Sequence, residues 1–187
     1  DGKEVDEEAN CSPIGIYGAL KYAAEKIIIA YNQVFDLNYT IIRPSALYGE
    51  RCISRRVGQI FIENALFGKK ISINGMGEEK LDFTYILDLI QGISKSIANE
   101  KAYNQIFNIT YGEGREILKL IEIIKNNFSN IEVEFKERSK LVPVRGTLSN
   151  SKSKDLLGYK SEWPLEKGYQ QYINWYKDFF DKKINVS

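Results

Sequence analysis

Apolar residues between Ile16 and Val34 recur every three or four positions (Ile16, Leu20, Ala23, Ile27, Tyr31, Val34), a spacing that predicts an amphipathic helix of about six turns. Ser12 and Pro13 read as its cap and first-turn residue. The β-branched run Tyr39 to Ile42, stopped by Pro44, reads as a buried strand, and helical periodicity returns from about Arg55 to Phe67, ending at Gly68. Further on, "KISING", "LDFTYI" and "IFNIT" read as short strands, and "IEVEFKE" alternates like a half-exposed one. Helices are predicted over Leu87 to Ala98 and from about Arg115 to Asn127. A short one in "SKSKDLLGY" is closed by Gly158, and an aromatic-rich one runs from Leu165 to Phe180. Strands thus alternate with helices, which predicts an α/β layered fold with a mainly parallel sheet and a smaller lobe.

Composition narrows the chemistry. A hydrophobic content of 43% in 187 residues suffices for one ordinary core, and the net charge of +1 gives no reason to expect nucleic acid or an anionic membrane as partner. No apolar run approaches the ~20 residues of a membrane span, and "DGKEVDEEAN" is unlike a secretory signal, so the expected location is cytoplasmic. With no histidine, the chain holds no His-ligated metal and no imidazole base, and no metal site is expected. Cys11 and Cys52 lack an activating motif and read as incidental thiols. Arg43 reads as a paired structural cation, Asp82 and Asp88 as turn and helix caps, and the aromatics after Gly168 as core. The adjacent Arg55 and Arg56 oppose the dipole of the helix they begin, unless an anionic ligand sits there.

"SPIGIYGALKYAAEK" places Tyr17 and Lys21 one helical turn apart, about 40° around the axis. A phenol titrates near 10, so a base working near neutrality needs a shift of roughly three units, worth about 4 kcal/mol. A positive charge ~4 Å away at an effective dielectric of ~20 supplies about that much. On spacing alone, a solvated pair is the plainer reading.

The wider pattern changes that. "YGALK", then "IIRPSALYGER", "RRVGQIFIENALFGKKISINGMGEEKLDFTYILDLIQGI", "FNIT" and "VRGTLSNSKSKDLLGY" follow one another in an order that resembles the C-terminal portion of the extended short-chain dehydrogenase/reductase family. The resemblance is specifically to the NAD-dependent nucleotide-sugar epimerases and dehydratases, and it covers nearly the whole chain. It implies the C-terminal part of a Rossmann-like doubly wound parallel sheet plus a small α/β substrate-binding lobe. A partial Rossmann domain would occupy residues 1–54, and a mixed lobe with returning Rossmann elements residues 55–187.

By the same resemblance Tyr17 is the acid/base, Lys21 lowers its pKa and holds the nicotinamide ribose, and Pro44 passes the carboxamide of NAD. Ser45 and Ala46 would meet the substrate, a nucleotide-diphosphate sugar, with Arg56, Ile73, Asn74, Lys80 and Arg145 around its nucleotide. A homodimer through the Ile16 to Val34 helix is also implied. The sequence departs from the family pattern at Ala46, where an asparagine is common, and at Leu81, where an arginine often stands. No Gly-x-Gly-x-x-Gly turn follows a strand anywhere, so the resemblance points to the later half of an enzyme. The alternative is a catalytically inactive nucleotide-sugar-binding or dimerisation fragment.

Overall fold

A computed structural model describes residues 4–137 and 146–184, with the side chains of 182–184 excepted. The first helix, α1, spans Gly15–Phe35 and is followed by strand β1, Thr40–Arg43. Helix α2 (Val57–Leu66) leads to β2 (Ile71–Asn74) and β3 (Lys80–Asp82), and α3 (Ile86–Ser96) to β4 (Gln105–Asn108). Then come β5 (Gly114–Glu116), α4 (Ile117–Lys125), β6 (Val133–Lys136), α5 (Ser151–Leu157) and α6 (Leu165–Ile184).

Strand pairing joins segments far apart in sequence. β1 runs parallel to β4 with Thr40 opposite Gln105 and Arg43 opposite Asn108, and β2 runs parallel to β6 with Ile71 opposite Val133. The third ladder, β3 with β5, is antiparallel. Among the described residues the expected mainly parallel sheet is therefore three two-stranded ladders. Parallel neighbours need a crossover, and α3 lies in the connection leading back to β4.

Two apolar cores result. The larger gathers Phe61 and Ile62 of α2, Ile71 and Ile73 of β2, Leu120 and Ile124 of α4, and the buried ridge Leu165, Tyr169, Tyr172, Ile173 and Tyr176 of α6. That ridge follows the i, i+3, i+4 spacing of a helix with one buried face. The smaller core, with Phe107, Ile109, Leu157 and Tyr159, lies among α3, β4 and α5.

Three local expectations change. α1 begins at Gly15 with Ile14 at its cap position and no side-chain cap, so Ser12 and Pro13 lie before the helix. The cause is upstream: Val5 N–H donates to the Thr147 carbonyl at 3.0 Å, and Asn108 N–H donates to Glu7 Oε1 at 2.7 Å. That anchoring commits the following residues to bridging the distance to α1. Gly114–Glu116 is strand, so α4 starts at Ile117, after the residues that read as its first turn. Only Lys80–Asp82 of "LDFTYI" and its neighbours is strand. Gly68, in the left-handed region at φ 61°, does close α2 as its position suggested.

Candidate active site

The segment between β1 and α2 wraps a cavity and holds three non-glycine residues at positive φ: Ala46 (34°), Arg51 (61°) and Arg55 (46°). Such conformations are costly and persist where surrounding structure enforces them, often at ligand sites. Here Tyr48 fixes the loop, donating its N–H to Thr84 O at 3.0 Å and accepting from Ile86 N–H at 2.9 Å. Gly49 passes so close to α3 that a Cβ would lie 2.4 Å from Ile86 Cγ2. One residue on, Glu50 Oε1 accepts the Tyr85 hydroxyl at 2.6 Å. Burial, followed by this bond, pushes the Tyr85 phenol well above its ordinary range, so it stays a donor.

The cavity is about 450 Å³. Tyr17, Ser54, Arg55 and Arg56, all exposed, form its rim, while Phe83, Leu120 and Tyr169, all buried, lie at its base. No carboxylate lines it. Arg55 is paired with Glu63 at 3.3 Å, so Arg56 carries the mouth's positive charge above an apolar floor, the character expected of an anion-bearing ligand with a less polar body.

The structure places the expected site residues unequally. Tyr17, Ala46 and Arg56 line the cavity together, whereas Pro44 and Ser45 are not among its lining residues. Tyr17 is 70% exposed, and Lys21 Nζ stands 5.9 Å from the centroid of its ring. Ile73 is wholly buried in the larger core, while Asn74 and Lys80 are exposed at a strand end and a strand start. Arg145 lies outside the described residues.

Arg55, Tyr48, Phe83, Leu120 and Tyr169 were not singled out as binding residues from sequence. Only Arg55 carried a signal, its adjacency to Arg56. Phe83, Leu120 and Tyr169 arrive from segments 25 or more residues distant from the loop, and Tyr48, within it, carried no signal of its own.

Buried polar groups hold the frame. Arg43 donates to both carboxylate oxygens of Glu25 at 2.9 and 2.7 Å and to Glu7 O at 3.0 Å, tying α1 to the C-terminal end of β1. This bond to Glu25 raises the guanidinium pKa further, against the effect of burial. Lys21 is one turn before Glu25, so Tyr17 and Lys21 stand toward the carboxyl end of a parallel strand, where α/β sheets bind ligands. Asp82 accepts Gly112 N–H at 3.1 Å and Leu148 N–H at 3.2 Å. Asp88 accepts Glu162 N–H at 2.9 Å and Trp163 N–H at 3.2 Å, so it tethers the segment before α6 rather than capping α3. Burial raises both carboxyls above the ordinary aspartate value. Among the described residues no cluster of acidic residues and cysteines could hold a metal, and no helix is long and apolar enough to cross a membrane.

Parallel strand pairs crossed over by helices, with a cavity rimmed by arginines between β1 and α2, define an α/β layered protein. The model of the NAD dependent epimerase/dehydratase family matches residues 1–110, and the chain belongs to that family. A putative UDP-glucose 4-epimerase of Methanocaldococcus jannaschii is 30% identical over 177 residues, covering 93% of this chain and 57% of the relative. Among solved structures, UDP-glucuronic acid 4-epimerase of Bacillus cereus with UDP-glucuronic acid and NAD aligns at a TM-score of 0.90 and 25% identity. That alignment covers 96% of this chain and 58% of the neighbour. UDP-glucose 4-epimerase of Thermotoga maritima with UDP-glucose aligns at 0.87 and 26%, covering 94% and 58%. The architecture is that of the C-terminal portion of these Rossmann-like folds. The chain spans about half the length of the curated relatives it matches.

Proposed function

We propose that this chain is the substrate-facing portion of an NAD-dependent nucleotide-sugar 4-epimerase, with Tyr17 as acid/base. The observation that carries the reading is one cavity lined by an accessible phenol, Tyr17, and two arginines, Arg55 and Arg56. Guanidinium groups bind phosphate oxygens through paired hydrogen bonds, so these two suit the diphosphate. Such a placement leaves the sugar in the same cavity as Tyr17. Kinship with epimerases acting on UDP-sugars supports the ligand class.

The residues present fit one end of a dinucleotide. The exposed Tyr17 and Lys21 share a helix face near the carboxyl end of β1, and Lys21 forms no ion pair among the described residues. Lys21 and Pro44 would hold the nicotinamide riboside portion there. The 187 residues contain no Gly-x-Gly-x-x-Gly turn for the diphosphate of the cofactor. When bound, NAD supplies reversible hydride acceptance at the sugar carbon. Tyr17 Oη takes the proton of the adjacent sugar hydroxyl and returns it at the end, which preserves the overall proton balance of epimerisation. Lys21 places its ammonium one helical turn from that phenol, 5.9 Å from the ring centroid. Ser45, Ala46, Asn74, Lys80 and Arg145 remain in the proposal as substrate contacts, Ile73 through its backbone.

A homodimer through α1 belongs to the same reading, supported by the uncovered apolar surface of that helix. The free thiols of Cys11 and Cys52 support a reducing, cytoplasmic setting. A second reading is a nucleotide-sugar-binding fragment without turnover.

Interconversion of UDP-glucose and UDP-galactose with added NAD tests the proposal. Tyr17→Phe should reduce turnover by about 10²–10⁴-fold at unchanged fold. Near-normal turnover in that variant would refute the acid/base role, and binding of UDP-glucose without turnover by the unmutated protein would favour the second reading.

A further inference from the structure

Proton transfer from Tyr17 requires its oxygen to keep a fixed place in the cavity, and α1 by itself does not hold it there. The helix buries no residue and begins without a side-chain cap, at Gly15 with φ 77°. Among the described residues its side chains hydrogen-bond to the body through Glu25, on Arg43, and through Asn32, whose Nδ2 donates to Asn104 Oδ1 at 3.2 Å. Both contacts lie on the carboxyl side of Tyr17. Glu25 follows it by about 12 Å along the axis, so a tilt of about 5° around that contact moves Tyr17 by about 1 Å. A misplacement of about that size can cost about 10²-fold in rate.

A second anchor lies on the amino side. Glu7 is a buried carboxylate on the strap that leads into α1, and its Oε1 accepts Asn108 N–H at the end of β4 at 2.7 Å. Its carbonyl accepts from Arg43 Nη1 at 3.0 Å, on the same guanidinium that holds Glu25. Just before it, Ser149 N–H donates to Val5 O at 2.8 Å, and Asn108 Nδ2 donates to Ser149 O at 3.0 Å. We infer that Glu7 is a positioning residue for Tyr17: it fixes the strap on β4, so that the amino end of α1 is held from the side that Glu25 and Asn32 leave free. The inference rests on the proposed acid/base role of Tyr17.

The test reads the separation between the amino end of α1 and the loop that follows β1. Nitroxide labels on Leu20→Cys and Ile53→Cys, both exposed positions, in a background carrying Cys11→Ser and Cys52→Ser, report it by electron spin resonance. Glu7→Ala should broaden the distance distribution and lower kcat for UDP-glucose by about 10- to 10²-fold at little-changed KM. Glu7→Gln, which keeps an acceptor oxygen for Asn108 N–H, should restore both. An unaltered distribution in Glu7→Ala, or one in Glu7→Gln as broad as in Glu7→Ala, overturns the inference. If Glu7→Ala does not fold, Glu7→Asp, one carbon shorter, takes its place; loss of fold in both also overturns it, because the carboxylate then serves stability alone. Absence of turnover in the unsubstituted protein overturns the proposed function instead, and the distances still decide whether Glu7 holds α1.

Discussion

Helices α1 and α6 are nearly equal in length, 21 and 20 residues, yet their apolar side chains meet opposite fates. α6 is the less apolar of the two, but it buries Leu165, Tyr169, Tyr172, Ile173 and Tyr176 in a single face. α1 is richer in aliphatic residues and buries none. It touches the body along Gly18, Tyr22, Glu25, Ile29 and Asn32, a narrow and largely polar seam. Facing away from that seam are Ile16, Leu20, Ile27, Tyr31 and Val34, all exposed. At 100° per residue these fall within roughly 60° of one another, and alanines extend the apolar arc to roughly 140°. Monomeric surfaces rarely show a continuous apolar patch of such extent. Helix formation and helix burial are separate decisions: the first follows local spacing, the second needs a partner surface.

Substitutions on the two helices should therefore differ sharply, and the largest effect belongs to α6. Tyr169→Ala removes a fully buried ring together with its bond to Gly58 O, and should cost about 3–5 kcal/mol in a denaturant unfolding titration. A cost below about 1 kcal/mol would mean that the α6 ridge is not the core it resembles. At the α1 seam, Arg43→Met strips Glu25 of both its hydrogen bonds and should cost about 1–3 kcal/mol. Hydrogen exchange should then show α1 amides losing protection ahead of those in α4 and α6. Uniform loss across all three helices would count against Arg43 as the local tether.

A smaller effect concerns the approach to α6. Burial raises the Asp88 carboxyl above its ordinary value, so the folded state holds that proton more tightly than the unfolded chain. Its contribution is fully present below the ordinary aspartate value and is lost as pH rises through the raised one. The stability difference between the protein and Asp88→Asn should shift toward the variant over that interval, by up to ~1.4 kcal/mol per unit of separation between the folded and unfolded values. A shift in the other direction would contradict the burial argument. The smallest effect is expected opposite the seam: Ile27→Ser should alter monomer unfolding by no more than about 0.5 kcal/mol. In sedimentation the same variant should weaken self-association if α1 forms the proposed dimer, and unchanged association would remove α1 from that role.

Most elements were legible because helical and strand periods are short-range. The ridge of α6, the end of α2 at Gly68 and the run of β1 can each be read from neighbouring residues. The short strand β5 could not: Arg115 and Glu116 suit a helix, and only pairing with Leu81 and Lys80, more than thirty residues earlier, makes them strand. Among the residues that line the cavity, Tyr17, Ala46 and Arg56 were expected there from a pattern of motifs, and Arg55 was half visible beside Arg56. Leu120 carried no signal, because its presence in the cavity wall depends on how α4 packs between α2 and α6.

Taken alone, the sequence determined where the chain coils or extends, which family it resembles, and that none of these 187 residues supplies an imidazole. Tertiary structure decided which apolar faces are covered, where α1 begins, and which side chains share the cavity with Tyr17. The division follows range: backbone preference and periodicity act over a few residues, whereas burial and convergence are set by segments that meet only once the chain has folded.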